Sequence, residues 1–143
     1  MQTWSFPATI QRLGEDDYLA TFPDVPEAMT GGGSLAEVRE NASDALEEAI
    51  LAYLAAGRAI PLPRDPGEGE EAVVLDPVTA ARAALATVMR EKKISNVALA
   101  KTLGKSEGAV RRLTDGSSAV KIDTVLAAMN ALGARAVLTV LTE

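Results

Sequence analysis

The sequence predicts an α+β protein in which a small sheet with one helix precedes a helical part that ends in a short strand. Apolar residues alternate with period two at the start of the chain and recur at helical spacing from residue 77 onward. A segment rich in Pro, Gly and acidic residues lies between the two patterns. We therefore expect one domain over residues 1–76, with a loop over 63–71, and a second domain over 77–143.

The first domain begins with the pattern of a β-hairpin. Apolar and polar residues alternate over 4–10 and again over 18–22, and residues 14–17 have the composition of a turn. Residues 28–30 predict a short third strand. The glycines at 31–33 predict a flexible turn, since the residues that a phosphate-binding loop requires are missing.

A long helix is expected after this turn. Ser34 and Glu37 form a capping box, and apolar residues then recur at helical spacing as far as residue 54. The helix also carries an acidic stripe of residues three or four positions apart, namely Glu37, Glu40, Asp44, Glu47 and Glu48. The first interpretation of this stripe is a solvated face, which is favoured because like charges at this spacing cost little. The second is a docking surface for a basic partner, which would explain why almost no Lys or Arg is interspersed.

The charge of the chain is divided along its length. Residues 1–63 contain three arginines and ten acidic residues, a net charge of −7, and residues 64–76 add −4. Residues 77–143 contain ten basic and five acidic residues, a net charge of +5. This division suggests two partners of opposite charge, one of which is nucleic acid.

The second domain has the pattern of consecutive short helices. Asp76 and Pro77 are typical of a helix start, and Ser95 and Ser106 each precede a further short helix. A last helix is expected to end at Gly133, and alternating residues over 136–141 predict a strand that would pair with a symmetry mate or with the first domain.

Residues 95–113 resemble the helix-turn-helix of phage (Xre-like) repressors, in which the second helix enters the major groove of DNA. The resemblance rests on Leu99, Ala100, Gly104, Val110 and Leu113, which match the packing and turn positions of that motif. It implies a DNA-binding surface made of Asn96, Lys105, Ser106, Glu107, Gly108, Arg111, Arg112 and Lys121. Glu107, Gly108 and Arg112 would lie near base edges, whereas the lysines would contact the phosphate backbone.

Residues 18–32, the capped helix and the segment Arg58–Pro63 resemble the HicB antitoxin family. The resemblance implies an incomplete RNase H-like β-β-β-α-β domain, with its fourth strand at residues 73–75. It also implies a small basic RNase toxin of the HicA type as partner. The toxin would be bound by Asp24 and by the acidic stripe, and a homodimer or higher even oligomer would bind operator DNA.

The amino-acid composition excludes several kinds of catalytic and metal site. The chain has no His and no Cys, which excludes a Ser-His-Asp triad, a Cys nucleophile, a His/Cys zinc site and a disulfide. A two-metal carboxylate nuclease built from Asp16, Asp17, Asp24 and Asp44 is disfavoured by their loose spacing, so we expect no enzyme, no cofactor and no metal. Without a signal peptide or membrane span, a cytoplasmic location is expected, with nucleoid association when bound to DNA.

Two functions remain from the sequence. The first is a type II antitoxin that occludes its toxin and represses its own operon through the helix-turn-helix. The second is a stand-alone transcriptional repressor whose first domain senses a ligand or mediates oligomerisation. Both use the same DNA-binding half, so the partner of the acidic half distinguishes them.

Overall fold

The computed structural model of the chain describes residues 2–142, which form four strands and five helices. The strands are β1 (Ser5–Gly14), β2 (Asp17–Thr21), β3 (Met29–Gly32) and β4 (Glu71–Val74). The helices are α1 (Leu35–Ala55), α2 (Pro77–Lys92), α3 (Asn96–Leu103), α4 (Glu107–Thr114) and α5 (Ile122–Ala131). The predicted α+β class is confirmed, and the first part has the predicted order β-β-β-α-β.

The four strands form one antiparallel sheet in the order β3-β2-β1-β4. The long strand β1 pairs with both neighbours: residues 5–8 pair with β4, and residues 9–14 pair with β2. Pro7 lies in the half that pairs with β4 alone, where its missing N–H disrupts no bond to a second neighbour. Helix α1 packs on the sheet through seven buried residues between Val38 and Leu54.

The glycine turn predicted at residues 31–33 is wrong for Gly31 and Gly32, which belong to β3 and pair with β2, whereas Gly33 lies in the bend before α1. The close approach of α1 explains the glycine at position 32. A Cβ atom there would lie 2.7 Å from the backbone nitrogen of Val38. Gly32 therefore allows the first turn of α1 to lie directly against the edge strand.

Two buried clusters hold the chain together. The sheet cluster lies between α1 and the sheet and includes Phe6, Phe22 and Leu46. The helical cluster lies among α2, α3, α4 and α5 and includes Leu85, Leu99, Val110 and Val125. Helix α2 contributes to both, since Ala83 is buried in the sheet cluster and Leu85 in the helical one. It therefore connects the two halves as a shared structural element.

The strand predicted at residues 136–141 is wrong for the single chain, because residues 134–142 form no strand. The alternation of side chains is present, but a strand requires a neighbour for its backbone N–H and C=O groups. No strand among residues 2–142 pairs with this segment. Its large apolar side chains are exposed, with Leu138 at 81%.

Candidate functional site

The acidic stripe lies on the face of α1 that points away from the sheet. The Ser34 Oγ accepts a hydrogen bond of 3.1 Å from the Glu37 backbone N–H, which fixes the start of the helix as predicted. The opposite face is buried through residues such as Val38, Leu46 and Ile50. Four of the five stripe residues are therefore exposed, and these are Glu37, Glu40, Asp44 and Glu48.

The fifth residue of the stripe, Glu47, is half-buried and belongs to the contact between α1 and α2. Its Oε1 accepts a hydrogen bond of 3.0 Å from the Thr79 hydroxyl. Thr79 is itself buried, and its backbone N–H is capped by Asp76. Glu47 thus joins the two halves of the chain, and the exposed stripe consists of the other four carboxylates.

Asp24, the remaining predicted toxin-binding residue, forms an ion pair with Arg64 of the same chain. The Arg64 Nε lies 2.7 Å from the Asp24 carboxylate, and its Nη1 lies 2.8 Å from that of Glu70. The hydrogen bonds from Arg64 and from the Gly67 backbone N–H lower the pKa of Glu70 to about 2. Arg64 therefore holds the predicted 63–71 loop against the segment that follows β2.

The α3–α4 pair has the local geometry that its sequence predicts. Ser95 and Ser106 each accept a hydrogen bond of 3.1 Å from the backbone N–H three residues later, which defines the two helix starts. Gly104 ends α3 in the left-handed conformation, with φ of 66°. The Ser106 side chain is therefore used as a helix cap, and Val110 and Leu113 of α4 are buried.

Three of the predicted DNA-binding side chains surround one shallow groove beside α4. Lys105 from the turn, Arg112 from α4 and Lys121 from the start of α5 line it together with Ala109 and Thr124. All three basic residues are exposed. The structure thus gathers positive charge from three sequence positions into a surface suited to an anionic partner.

The other predicted DNA-binding residues do not line this groove. Arg111 is paired within its helix, since its Nη1 lies 3.0 Å from the Glu107 carboxylate. This pairing provides a counter-charge for Glu107, which would otherwise repel a phosphate backbone. Gly108 lies between Glu107 and the two arginines, where a Cβ atom would meet nothing closer than 3.8 Å. Asn96, which opens α3, is half-buried.

The sequence analysis missed Arg82 of α2, which is only 5% exposed. Its guanidinium donates to the backbone carbonyls of Arg112 and Leu113, at 2.9 and 3.1 Å, and so holds the last turn of α4. Burial lowers the pKa of Arg82, and the nearby Asp115 partly opposes this. The sequence did contain an indication that Arg82 is buried, because Arg82 lies three residues before Leu85 on the apolar side of α2.

The described residues give no support for a metal-dependent site. Among residues 2–142, no three Asp or Glu side chains come together as a metal site would require. Asp24, one of the acids considered for such a site, is paired with Arg64. Over the same residues, every helix is too short or too polar to cross a bilayer.

Comparison with known proteins identifies the family. Residues 5–84 match the family described as the HicB-like antitoxin of bacterial toxin–antitoxin systems. The chain belongs to the HicB-like antitoxin family. Antitoxin HicB 2 of Photorhabdus laumondii is 38% identical over 83% of this chain and 84% of its own length. Antitoxin HicB of Escherichia coli K12 is 33% identical over 90% and 93%, and that of Pseudomonas fluorescens is 36% identical over 82% and 81%.

Membership in the HicB-like antitoxin family confirms the family prediction made from the motifs of the first domain. The matched region contains all four strands, α1 and the first half of α2. The HicB relatives extend the similarity over most of the helical half as well. The family is not known to be enzymatic, so the prediction that this antitoxin is not an enzyme is also confirmed.

Proposed function

We propose that this antitoxin binds a small basic RNase of the HicA type through the first half of the chain and represses its own operon through the second. The observation that carries the proposal is the placement of opposite charges on separate surfaces of a HicB-like antitoxin. Glu37, Glu40, Asp44 and Glu48 are exposed on α1, whereas Lys105, Arg112 and Lys121 surround the groove beside α4.

The proposed mechanism on the acidic side is electrostatic and steric. An RNase presents a positively charged surface to RNA phosphate, and the exposed stripe of α1 offers carboxylates in the place of that phosphate. Because α1 is held on the sheet by a fully buried apolar face, these carboxylates lie on a rigid support. Binding would cover the catalytic surface of the toxin, and the two proteins would act in the cytoplasm, where RNA and operator DNA are both present.

The proposed mechanism on the basic side is that of a helix-turn-helix protein. Helix α4 would enter the major groove, and Lys105 and Lys121 would contact the backbone on its flanks. Arg112 is exposed on α4 beside the groove and would reach a base edge or a phosphate. A dimer would present two such helices to the two halves of a palindromic operator.

A charge-reversal experiment tests the toxin-binding half. We expect E40K/E48K to lose neutralisation of a co-expressed HicA-type toxin and to lose the complex in a pull-down, because two attractive charges become repulsive. The matched control is E15K/D17K, which makes the same charge change on exposed residues at the β1–β2 turn. Equal neutralisation by both variants would overturn the assignment of the α1 face.

A second experiment tests the DNA-binding half on the fragment upstream of the operon. We expect K105A/R112A/K121A to weaken binding and to reduce the dependence of the affinity on salt, because phosphate contacts release counterions. The control is K92A, which removes an exposed charge at the end of α2, away from the groove. Unchanged binding by the triple variant would exclude this surface.

A further inference from the structure

A cavity of about 90 Å³, here called the junction cavity, lies where the end of α1 meets α2 and the end of α4. Gly57 follows α1 in the left-handed conformation, with φ of 65°, which turns the chain out of the helix. Ile60 then forms one wall of the cavity. Ala86 of α2 and Thr114 of α4 form others, so the junction cavity is bounded by both halves of the chain.

The interior of the junction cavity is largely apolar. Leu54 and Ile60 line it and are only 5% and 8% exposed. Thr87 and Thr114 also line it, but each hydroxyl donates to a backbone carbonyl of its own helix, at 2.8 and 3.5 Å. An apolar cavity of about 150 Å³ holds a benzene molecule. The junction cavity therefore has room for a shorter apolar chain, of roughly two to four carbons.

Two arginines provide the charge of the junction cavity, and none of the described residues that line it is acidic. The Arg58 guanidinium is held in place, since it lies 4.1 Å from the centre of the Tyr53 ring and 3.3 Å from the Glu27 carboxylate. Arg90 donates to the Gly57 carbonyl at 2.8 Å but forms no ion pair within residues 2–142. A guanidinium has more N–H donors than these contacts use, so both side chains can donate to an acceptor in the cavity.

We propose that the junction cavity binds a small carboxylate that carries a short apolar chain. The carboxylate accepts hydrogen bonds from Arg90 and Arg58, because a planar guanidinium matches the two oxygens of a carboxylate. The apolar chain lies against Leu54 and Ile60, where it is removed from water. Arg90 is the main anchor, since Glu27 already balances the charge of Arg58.

A ligand in the junction cavity would connect the end of α1 with the end of α4. It would contact walls from both halves of the chain, and it would stabilise the folded protein because the unfolded chain has no such cavity. The inference uses neither a toxin nor operator DNA, and its tests contain neither. It can therefore fail or succeed independently of the proposed function.

An NMR titration of the full chain with butyrate tests the site. We expect saturable shifts of the backbone amides that line the junction cavity, those of Gly57, Thr87 and Thr114 among them. Butyramide has the same chain without the charge, and sulfate has charge without the chain, so each should bind at least about 10-fold more weakly. Shifts of equal size with sulfate, which would indicate a general ion effect only, or the absence of a saturable shift with butyrate would overturn the proposal.

Substitutions on α2 test the two parts of the site separately. Arg90→Met should weaken butyrate binding at least about 10-fold by removing the anchor. Ala86→Leu should abolish it by filling the cavity while Arg90 is kept. The control Arg39→Met removes an exposed arginine of α1 outside the cavity and should bind butyrate like the parent.

The basic groove beside α4 is the competing location for an anion. The variant K105A/R112A/K121A removes the charge of that groove and should retain butyrate binding, because none of its three positions lines the junction cavity. Loss of binding in this variant, or unchanged binding in Arg90→Met, would assign the carboxylate to another surface and overturn the proposal.

Discussion

Replacing Arg82 by Met should destabilise the protein by removing the support of helix α4. Arg82 is 5% exposed and donates to two backbone carbonyls, at 2.9 Å and 3.1 Å. A hydrogen bond to a charged group contributes about 1.5–3 kcal/mol, and a buried carbonyl that loses its donor adds a desolvation cost. Since Met also removes the desolvation cost of the guanidinium, we expect a net loss of about 2–4 kcal/mol in the free energy of unfolding.

The assay for Arg82 is urea unfolding of the full chain, compared with a control on the same helix. Arg90 also donates to a backbone carbonyl, that of Gly57 at 2.8 Å, but Arg90 is exposed. Arg90→Met should therefore cost less than about 1 kcal/mol. Arg82→Lys should fall between the two, because an ammonium keeps the charge without the planar fork that reaches both carbonyls.

A further readout separates local from global effects of Arg82→Met. Because the two lost bonds end on Arg112 and Leu113, hydrogen exchange should accelerate in α4 more than in α1. Under the proposed function, binding of the operator fragment should weaken while binding of the toxin is retained. An unfolding free energy within about 0.5 kcal/mol of the parent would refute the reasoning, since surface substitutions reach only that size.

Three other predictions concern the first half of the chain. Gly32→Ala should cost about 1–3 kcal/mol in thermal unfolding, because its Cβ would lie 2.7 Å from a backbone nitrogen of α1, whereas Gly33→Ala, with its nearest atom at 3.6 Å, should be tolerated. Leu46→Ala should cost about 2–5 kcal/mol, because Leu46 is completely buried, and exposed Leu62→Ala should cost far less. Glu70→Gln should lower the midpoint of urea unfolding near neutral pH. The pKa of Glu70 is about 2 in the folded protein and ordinarily 4.5. The difference in midpoint between the variant and the parent should therefore be complete above pH 4.5 and decrease toward pH 2. A difference that stays constant with pH would contradict the ion pair with Arg64.

Local signals account for most of what the sequence predicted correctly. The caps at Ser34, Asp76, Ser95 and Ser106 are all present, because each depends on a hydrogen bond that spans two or three residues. The first two strands are also present, although residues 5–8 of β1 are all buried and so do not show the one-sided burial that the alternation predicts. Features that depend on contacts between residues close in sequence could therefore be predicted without a structure.

The features that the sequence analysis missed depend on contacts between distant segments. Gly32 belongs to a strand because it pairs with Tyr18 of β2, and the close approach of α1 requires glycine at this position; glycine composition alone shows neither contact. Arg82 is buried because α4 ends above it, about thirty residues later in the chain. The strand predicted at residues 136–141 is absent for the related reason that a strand needs a partner, and no strand within residues 2–142 pairs with this segment.

Helix α2 connects the acidic half of the chain to the basic half in the structure. The helix contributes to both buried clusters, donates a hydrogen bond from Thr79 to Glu47 of α1, and holds the end of α4 through Arg82. The acidic face of α1 and the basic groove beside α4 are thus attached to one continuous packed structure and do not share a side chain. A basic protein and a nucleic acid bound to these two surfaces would therefore contact different residues. Coupling between two such partners would pass through α2 and through the close approach of Gly116 to Leu51 of α1.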